Sequence, residues 1–238
     1  MPVDLQGGKP AGPAARTVEL SIVADFPNPY GGLAREVDAI KNSRWGPTTD
    51  DFTDIVVNAL KCDSFVSFGA AILLTPQGKE RPKASIRRIN LFTHANPDLL
   101  AFKGTVKPLT IGVDVMLEVG TGLNSTALQT WNGQGFFLEN PATKKKYTLA
   151  DIQARFTGKS AEIWLYACHS GVDGTLVQDI ASTFQATVIG FKDAIAYCPK
   201  FTETPPSIDR KRIGIKDCTS SVTDFRKLPT GNTLKKTP

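Results

Sequence analysis

The chain holds two histidines, His94 and His169, and four cysteines, Cys62, Cys168, Cys198 and Cys218. Any chemistry that uses an imidazole with a thiol must therefore be assembled from a very small set. The stretch IWLYACHSG, residues 163–171, runs an apolar segment into Cys168, with His169, Ser170 and Gly171 directly after it. A second apolar segment, INLFT, runs into His94. A cysteine acts as a nucleophile through its thiolate, so it needs a neighbour that takes or holds the thiol proton, and imidazole does this near neutral pH. His169 is adjacent to Cys168 in the chain, but successive residues leaving a strand point in different directions. His169 is accordingly read as a loop residue, and the expected partner of Cys168 is His94. Cys62, Cys198 and Cys218 have no comparable context, and packing is their default, as it is for a lone buried thiol in general. A zinc site from His94, Cys168 and His169 would have suitable ligand types but lacks a second Cys or His pair at metal-binding spacing. GTGLN and WNGQG lack the lysine of a phosphate-binding loop. No metal and no cofactor are expected.

The elements that must carry these residues alternate between β-rich and helical patterns. RTVELSIVADF (16–26) reads as a buried strand stopped by PNPYGG. LAREVDAIK and TTDDFTDIVVNALKC carry apolar residues at helical spacing, the second with Thr48 or Thr49 as its N-cap. SFVSFGAAILL fits either helix or strand. SIRRINLFTHAN and SAEIWLYAC read as the second and third buried strands, and ATVIGFKDAIAYC as the fourth. YTLADIQARF is a short helix capped by Thr148 and Asp151, and GTLVQDIASTF is a helix with Thr175 and Gln178 as its capping box. Residues 97–147 are irregular and glycine-rich, with LTIGVDVMLEV and GQGFFLEN as strands or hairpins, and read as an insertion. Strand, helix, strand in units of about 25 to 30 residues implies right-handed parallel crossovers, hence an α/β fold with a mostly parallel sheet covered by helices. Ligands bind such sheets outside the carboxyl ends of the strands. If the second and third buried strands are neighbours, His94 and Cys168 meet on that rim, and the N–H groups of Ala95 and Cys168 could hold a developing oxyanion.

The chain of 238 residues carries 28 Lys and Arg against 23 Asp and Glu, a net charge of +5. Its basic clusters are dispersed (81–83, 87–88, 144–146, 210–212 and 235–236) and do not alternate with aromatics, so nucleic acid is not the expected partner. Residues 1–15 are expected to be a flexible arm, 16–226 a single domain and 227–238 a flexible tail. The absence of CxxC pairs and of a signal-like N-terminus suggests a reduced, cytoplasmic setting. No stretch approaches the ~18 apolar residues of a membrane span.

A strand that ends in His, followed later by an apolar strand running into Ala-Cys-x-x-Gly, then an amphipathic helix and another strand, resembles the caspase-like cysteine peptidases. These include caspases, metacaspases, gingipains, legumains, separases and the self-cleaving protease domains of bacterial toxins. The caspase signature Gln-Ala-Cys-[Arg/Gln/Gly]-Gly, with its His about 50 residues upstream, is matched in part: Ala167 and Cys168 are present with a nearby glycine, Gly171, one position later than in the signature, and the histidine lies 74 residues upstream. The longer gap fits the 97–147 insertion. The resemblance implies helices on both faces of the sheet, Cys168 as the nucleophile of an endopeptidase and His94 as its general acid/base. It also implies an oxyanion hole that includes the N–H of Ala95, where relatives usually carry glycine. Pocket residues expected to select the side chain before the scissile bond are Asp25 or Asp193 for a basic residue, or Arg35 for an acidic one. The implied partners are a protein or peptide substrate and an activating partner or self-processing event, with the basic loop 144–146 as a cleavage or effector site. Two other readings use the same residues: a catalytically silent binding module, suggested by Ala95, and a cysteine-dependent hydrolase of another family.

Overall fold

The computed structural model describes residues 17–24, 54–108, 115–133, 135, 138–140, 143–200, 207–215 and 232–238. Asp25, Arg35, Thr48, Thr49 and the arm at 1–15 lie outside them. The central sheet has six strands: β1 (Val18–Ala24), β2 (Asp54–Cys62), β3 (Ile86–Phe92), β9 (Glu162–Tyr166), β10 (Thr187–Phe191) and β13 (Thr233–Lys236). Their order is β2-β1-β3-β9-β10-β13. The first five run parallel and β13 runs antiparallel along β10. Chain order reverses across this sheet: β2 lies on one side of β1, and β3, β9 and β10 follow on the other.

Strand alternation divides the apolar residues between two faces. Leu20, Ile22, Ile89, Leu91, Ile163, Leu165 and Val188 share a buried cluster with residues of α1 (Phe65–Leu73), α2 (Ser125–Asn132), α3 (Leu149–Gln153) and α4 (Gly174–Phe184). Among the described residues all four helices pack on this face. Phe184 sits at its centre, 5.9 to 6.2 Å from the rings of Phe65, Phe68 and Phe156, with Phe102 beside Phe65 and Phe68. The opposite face carries a buried aromatic run in which Tyr166 stacks on Phe92 at 4.8 Å and meets Phe191 at 5.4 Å and Trp164 at 6.0 Å. Polar pairs cross the strands on that same face. Asn90 donates to the Glu19 carboxylate at 2.6 Å, and Arg88 pairs with Glu162 at 3.1 Å.

Several expectations are corrected or resolved. Residues 54–62, assigned to a helix, form β2: the run Ile55-Val56-Val57 is β-branched, and parallel pairing with β1 outweighs its helix-like spacing. The ambiguous segment is helical over Phe65–Leu73, capped by Ser64 with Ser67 completing a capping box. The 97–147 segment continues an antiparallel sheet of β4 (His94–Asn96), β5 (Leu99–Pro108) and β6 (Val115–Leu123) into α2 and a small hairpin of β7 (Leu138–Glu139) and β8 (Lys146–Tyr147). The helix α2 carries Leu128 as its buried residue and starts at the Asn124 cap, which accepts from the Ala127 N–H. The fourth buried strand divides at Lys192–Ala194, so β10 stays in the main sheet while β11 (Ile195–Lys200) pairs with β12 (Ser207–Ile215). The tail expected to be flexible includes β13, where Leu234 packs against the core and Gln178 reaches the Thr237 carbonyl. No described helix is long and apolar enough to cross a membrane.

The helix starts are closed by carboxylates as well as hydroxyls. Thr148 and Asp151 form the expected capping box of α3, but α4 is capped by Asp173, which accepts from the Thr175 N–H, rather than by Thr175 and Gln178. Hydrogen bonds from the Ser67 hydroxyl to Asp63, from the Thr148 backbone to Asp151 and from the Thr175 backbone to Asp173 hold all three carboxyls below the ordinary 3.8. Their folded-state values lie under the unfolded ones, so the stability they add is whole above about pH 4 and is lost on acidification. Thermal unfolding followed against pH should show a midpoint that declines between about pH 5 and pH 2, and declines less steeply in Asp151→Asn. A profile the substitution leaves unchanged would contradict this linkage. In the core, Phe184→Ala should lower unfolding free energy by about 3 to 5 kcal/mol in urea titrations, because it opens a cavity ringed by aromatic side chains.

Candidate active site at the carboxyl rim

The parallel pairing of β3 and β9 aligns Phe92 with Tyr166 and continues one step further, where the Thr93 N–H donates to the Tyr166 carbonyl at 3.2 Å. His94 follows Thr93 by one residue, and Cys168 follows Tyr166 by two. The two chain segments therefore leave hydrogen-bonded neighbours, ~5 Å apart by ordinary strand spacing, on the same rim. Both residues are half-buried. The strand order reverses between β1 and β3, so the crevice that an open α/β sheet forms at its reversal lies next to the β3–β9 pair on the same rim.

The segment after β9 is a tight turn fastened on several sides. Ser170 is fully buried; its hydroxyl donates to the Leu165 carbonyl at 3.0 Å and accepts from the Phe191 N–H at 3.1 Å. The Gly171 N–H donates to the Phe191 carbonyl at 2.8 Å. A methyl group on Gly171 would lie 2.6 Å from the Gly190 backbone, and one on Gly190 would lie 2.8 Å from the Ser170 carbonyl oxygen. Glycine is required at both positions because two backbones touch. Just before these anchors His169 takes a left-handed backbone, φ 58°, and is exposed. Its N–H donates to the Asp193 carbonyl at 3.3 Å and its Nδ1 lies 3.0 Å from the Lys192 carbonyl oxygen. Cys168, one residue earlier, directs its Sγ to the Ile195 carbonyl oxygen at 3.7 Å.

The segment after β3 is held by Thr93, which is buried and whose hydroxyl bonds the Ala101 carbonyl of β5. His94 then opens β4, opposite Ala101, and Ala95 pairs opposite Leu100. Ala95 is in extended backbone and is not among the described residues with positive φ. Alanine carries no backbone strain in this conformation.

The structure brings His94, Ala95, Cys168 and the Asp193 backbone to one rim; Asp25 and Arg35 fall outside the described residues. Among the described residues no group of three His, Cys, Asp or Glu side chains could hold a metal ion. A cleft of 280 Å³ lies elsewhere, lined from α2, α3 and α4 by Leu128, Gln153, Asp179 and Thr183 among others. Sequence reasoning missed Thr93 and Ser170. The available signal was a hydroxyl residue within two positions of each candidate side chain, where turns favour Ser and Thr as backbone partners. No protein-family model matches the chain, and no curated protein matches it.

Ser170→Ala leaves the buried Phe191 N–H without its acceptor and should lower stability by about 1 to 3 kcal/mol in urea unfolding. Gly190→Ala should be more damaging than Gly133→Ala, whose added methyl meets nothing closer than 3.5 Å. Equal losses from the two glycine substitutions would argue against backbone contact as the constraint on this turn.

Proposed function

We propose that the chain is a cysteine endopeptidase of caspase-like architecture, acting on protein or peptide substrates in a reducing, cytoplasmic setting. The observation that carries this reading is the β3–β9 pairing, which starts the His94 and Cys168 segments from adjacent strand ends, with β3 bordering the switch point of the sheet. In the proposed cycle His94 takes the Cys168 proton and the thiolate attacks the scissile carbonyl carbon. His94 then protonates the leaving amine, and water hydrolyses the resulting thioester. The oxyanion is held by the N–H groups of Cys168 and Ala95. Antiparallel pairs alternate between hydrogen-bonded and non-hydrogen-bonded, and the residues flanking a two-residue turn take the first type. Asn96 and Leu99 flank such a turn, so Ala95 falls in the second type, with its N–H directed away from β5.

A basic residue before the scissile bond fits this reading best. Asp193 lies at the carboxyl end of β10, with its backbone joined to the turn that carries Cys168, and Asp25 directly follows β1 in the chain. Helices on the second face of the sheet, which the caspase-like architecture requires, belong to this proposal and not to the described fold. The basic loop 144–146 is proposed as the processing or effector site.

Peptides carrying Lys or Arg before the cleaved bond should be turned over in preference to Asp peptides. Cys168→Ala should abolish cleavage, and His94→Ala should reduce it by about 10²-fold or more. Cleavage that persists in purified Cys168→Ala would falsify the reading.

A further inference from the structure

The contact that Cys168 makes in this conformation opposes the chemistry proposed for it. A thiol 3.7 Å from a carbonyl oxygen donates its S–H to that oxygen, and the bond belongs to the neutral form. A thiolate in the same place would face the negative end of the Ile195 carbonyl dipole, so the bond favours thiol over thiolate. Ile195 opens β11, opposite Ile215 of β12, and its approach to Cys168 is set from the other side by the residues that precede it. The segment 192–195 leaves β10, and two of its carbonyls are gripped by a single residue: Lys192 by the His169 ring at 3.0 Å and Asp193 by the His169 N–H at 3.3 Å. Lys192 is fixed further by its own N–H, which donates to the Asn232 carbonyl at 2.8 Å just before β13. The ring contact requires the proton on Nδ1, since the Lys192 carbonyl can only accept. His169 holds this position in a left-handed backbone conformation that a non-glycine residue adopts at an energetic cost.

We infer that His169 is a positioning residue that latches the 192–195 segment over Cys168 and keeps the thiol in its protonated, resting form until the segment is released. The inference rests on the reading of Cys168 as nucleophile for its biological meaning, but the latch is a property of the thiol and can be tested without a substrate. A substrate or effector that competes for the 192–195 carbonyls would release Ile195 and raise the thiolate fraction. The binding event itself would then activate the nucleophile.

The experiment measures alkylation of Cys168 in the full chain by iodoacetamide, resolved by peptide mass spectrometry, from pH 5 to pH 10. Three proteins are compared: the natural sequence, His169→Gly and His169→Asn. Glycine and asparagine both accept the left-handed backbone, so neither carries a strain penalty. Asparagine places an N–H donor where His169 has Nδ1, and glycine has none. The latch predicts that His169→Gly moves the alkylation profile about one pH unit lower, equivalent to about tenfold faster reaction at pH 7, and that His169→Asn restores the natural profile. Should glycine unfold the turn, His169→Ala serves as the donor-free comparison. The latch is overturned if the donor-free variant alkylates like the natural chain, or if asparagine behaves like glycine. A tenfold shift in a chain that cleaves no peptide would leave the latch standing and remove the peptidase reading. Cysteine-dependent cleavage with no shift would do the reverse.

Discussion

At the end of β9 two stretches of backbone, Gly171 and Gly190, lie against each other with no space for a side chain between them. That contact draws the turn 167–171 down onto β10. It lets Ser170 bond Leu165 on one strand and Phe191 on the next, and it sets the point from which α4 departs. Ser170 is fully buried because the glycines admit no alternative path, and Cys168 is half-exposed because it precedes the buried anchor by two residues. On the neighbouring strand Thr93 has the corresponding task, tying the end of β3 to β5 so that His94 leaves in a fixed direction. The candidate residues His94 and Cys168 are thus half-buried neighbours of buried residues that are small or hydroxyl-bearing.

The two faces of the sheet are built differently. The cluster on the helix-covered face is aliphatic and aromatic, and its energy is that of area removed from water. The other face mixes stacked rings with the buried Glu19–Asn90 pair and the Arg88–Glu162 bridge, which also accepts from the Trp164 N–H at 2.9 Å. Burying such groups is a gain only when they are hydrogen-bonded. They contribute register more than stability: a one-residue slip of β3 against β9 would part Arg88 from Glu162 and point Asn90 into the aliphatic side.

The sequence made the central strands legible because their apolar runs are long and end sharply. SIRRINLFT and EIWLYA could be placed, and with them the rim on which His94 and Cys168 start. What could not be read depended on distant partners. Ile55, Val56, Ala59 and Leu60 recur at helical spacing, and it is the β1 edge that makes the segment a strand. Leu234 stands between a threonine and two lysines, too short a pattern to signal a strand without the open edge of β10. Lys192-Asp193-Ala194 ends β10 because the His169 turn captures two of its carbonyls, a contact invisible to local patterning. The cap of α4 was misplaced by two residues, since Asp173 and Thr175 are both good caps and the choice between them is made by the turn before the helix.

The pairing of β3 with β9 joins Arg88 to Glu162 across a sequence separation of 74. Loop closure of that length is paid for before the pairing returns anything, which places it late in folding and makes it slow. The β4–β5–β6 meander and α2 can form by local contacts before the two strand ends meet. A nascent or partly unfolded chain therefore carries its thiol and its imidazole on separate, unregistered segments. Assembly of the rim is coupled to completion of the sheet, which makes the topology itself a timing device.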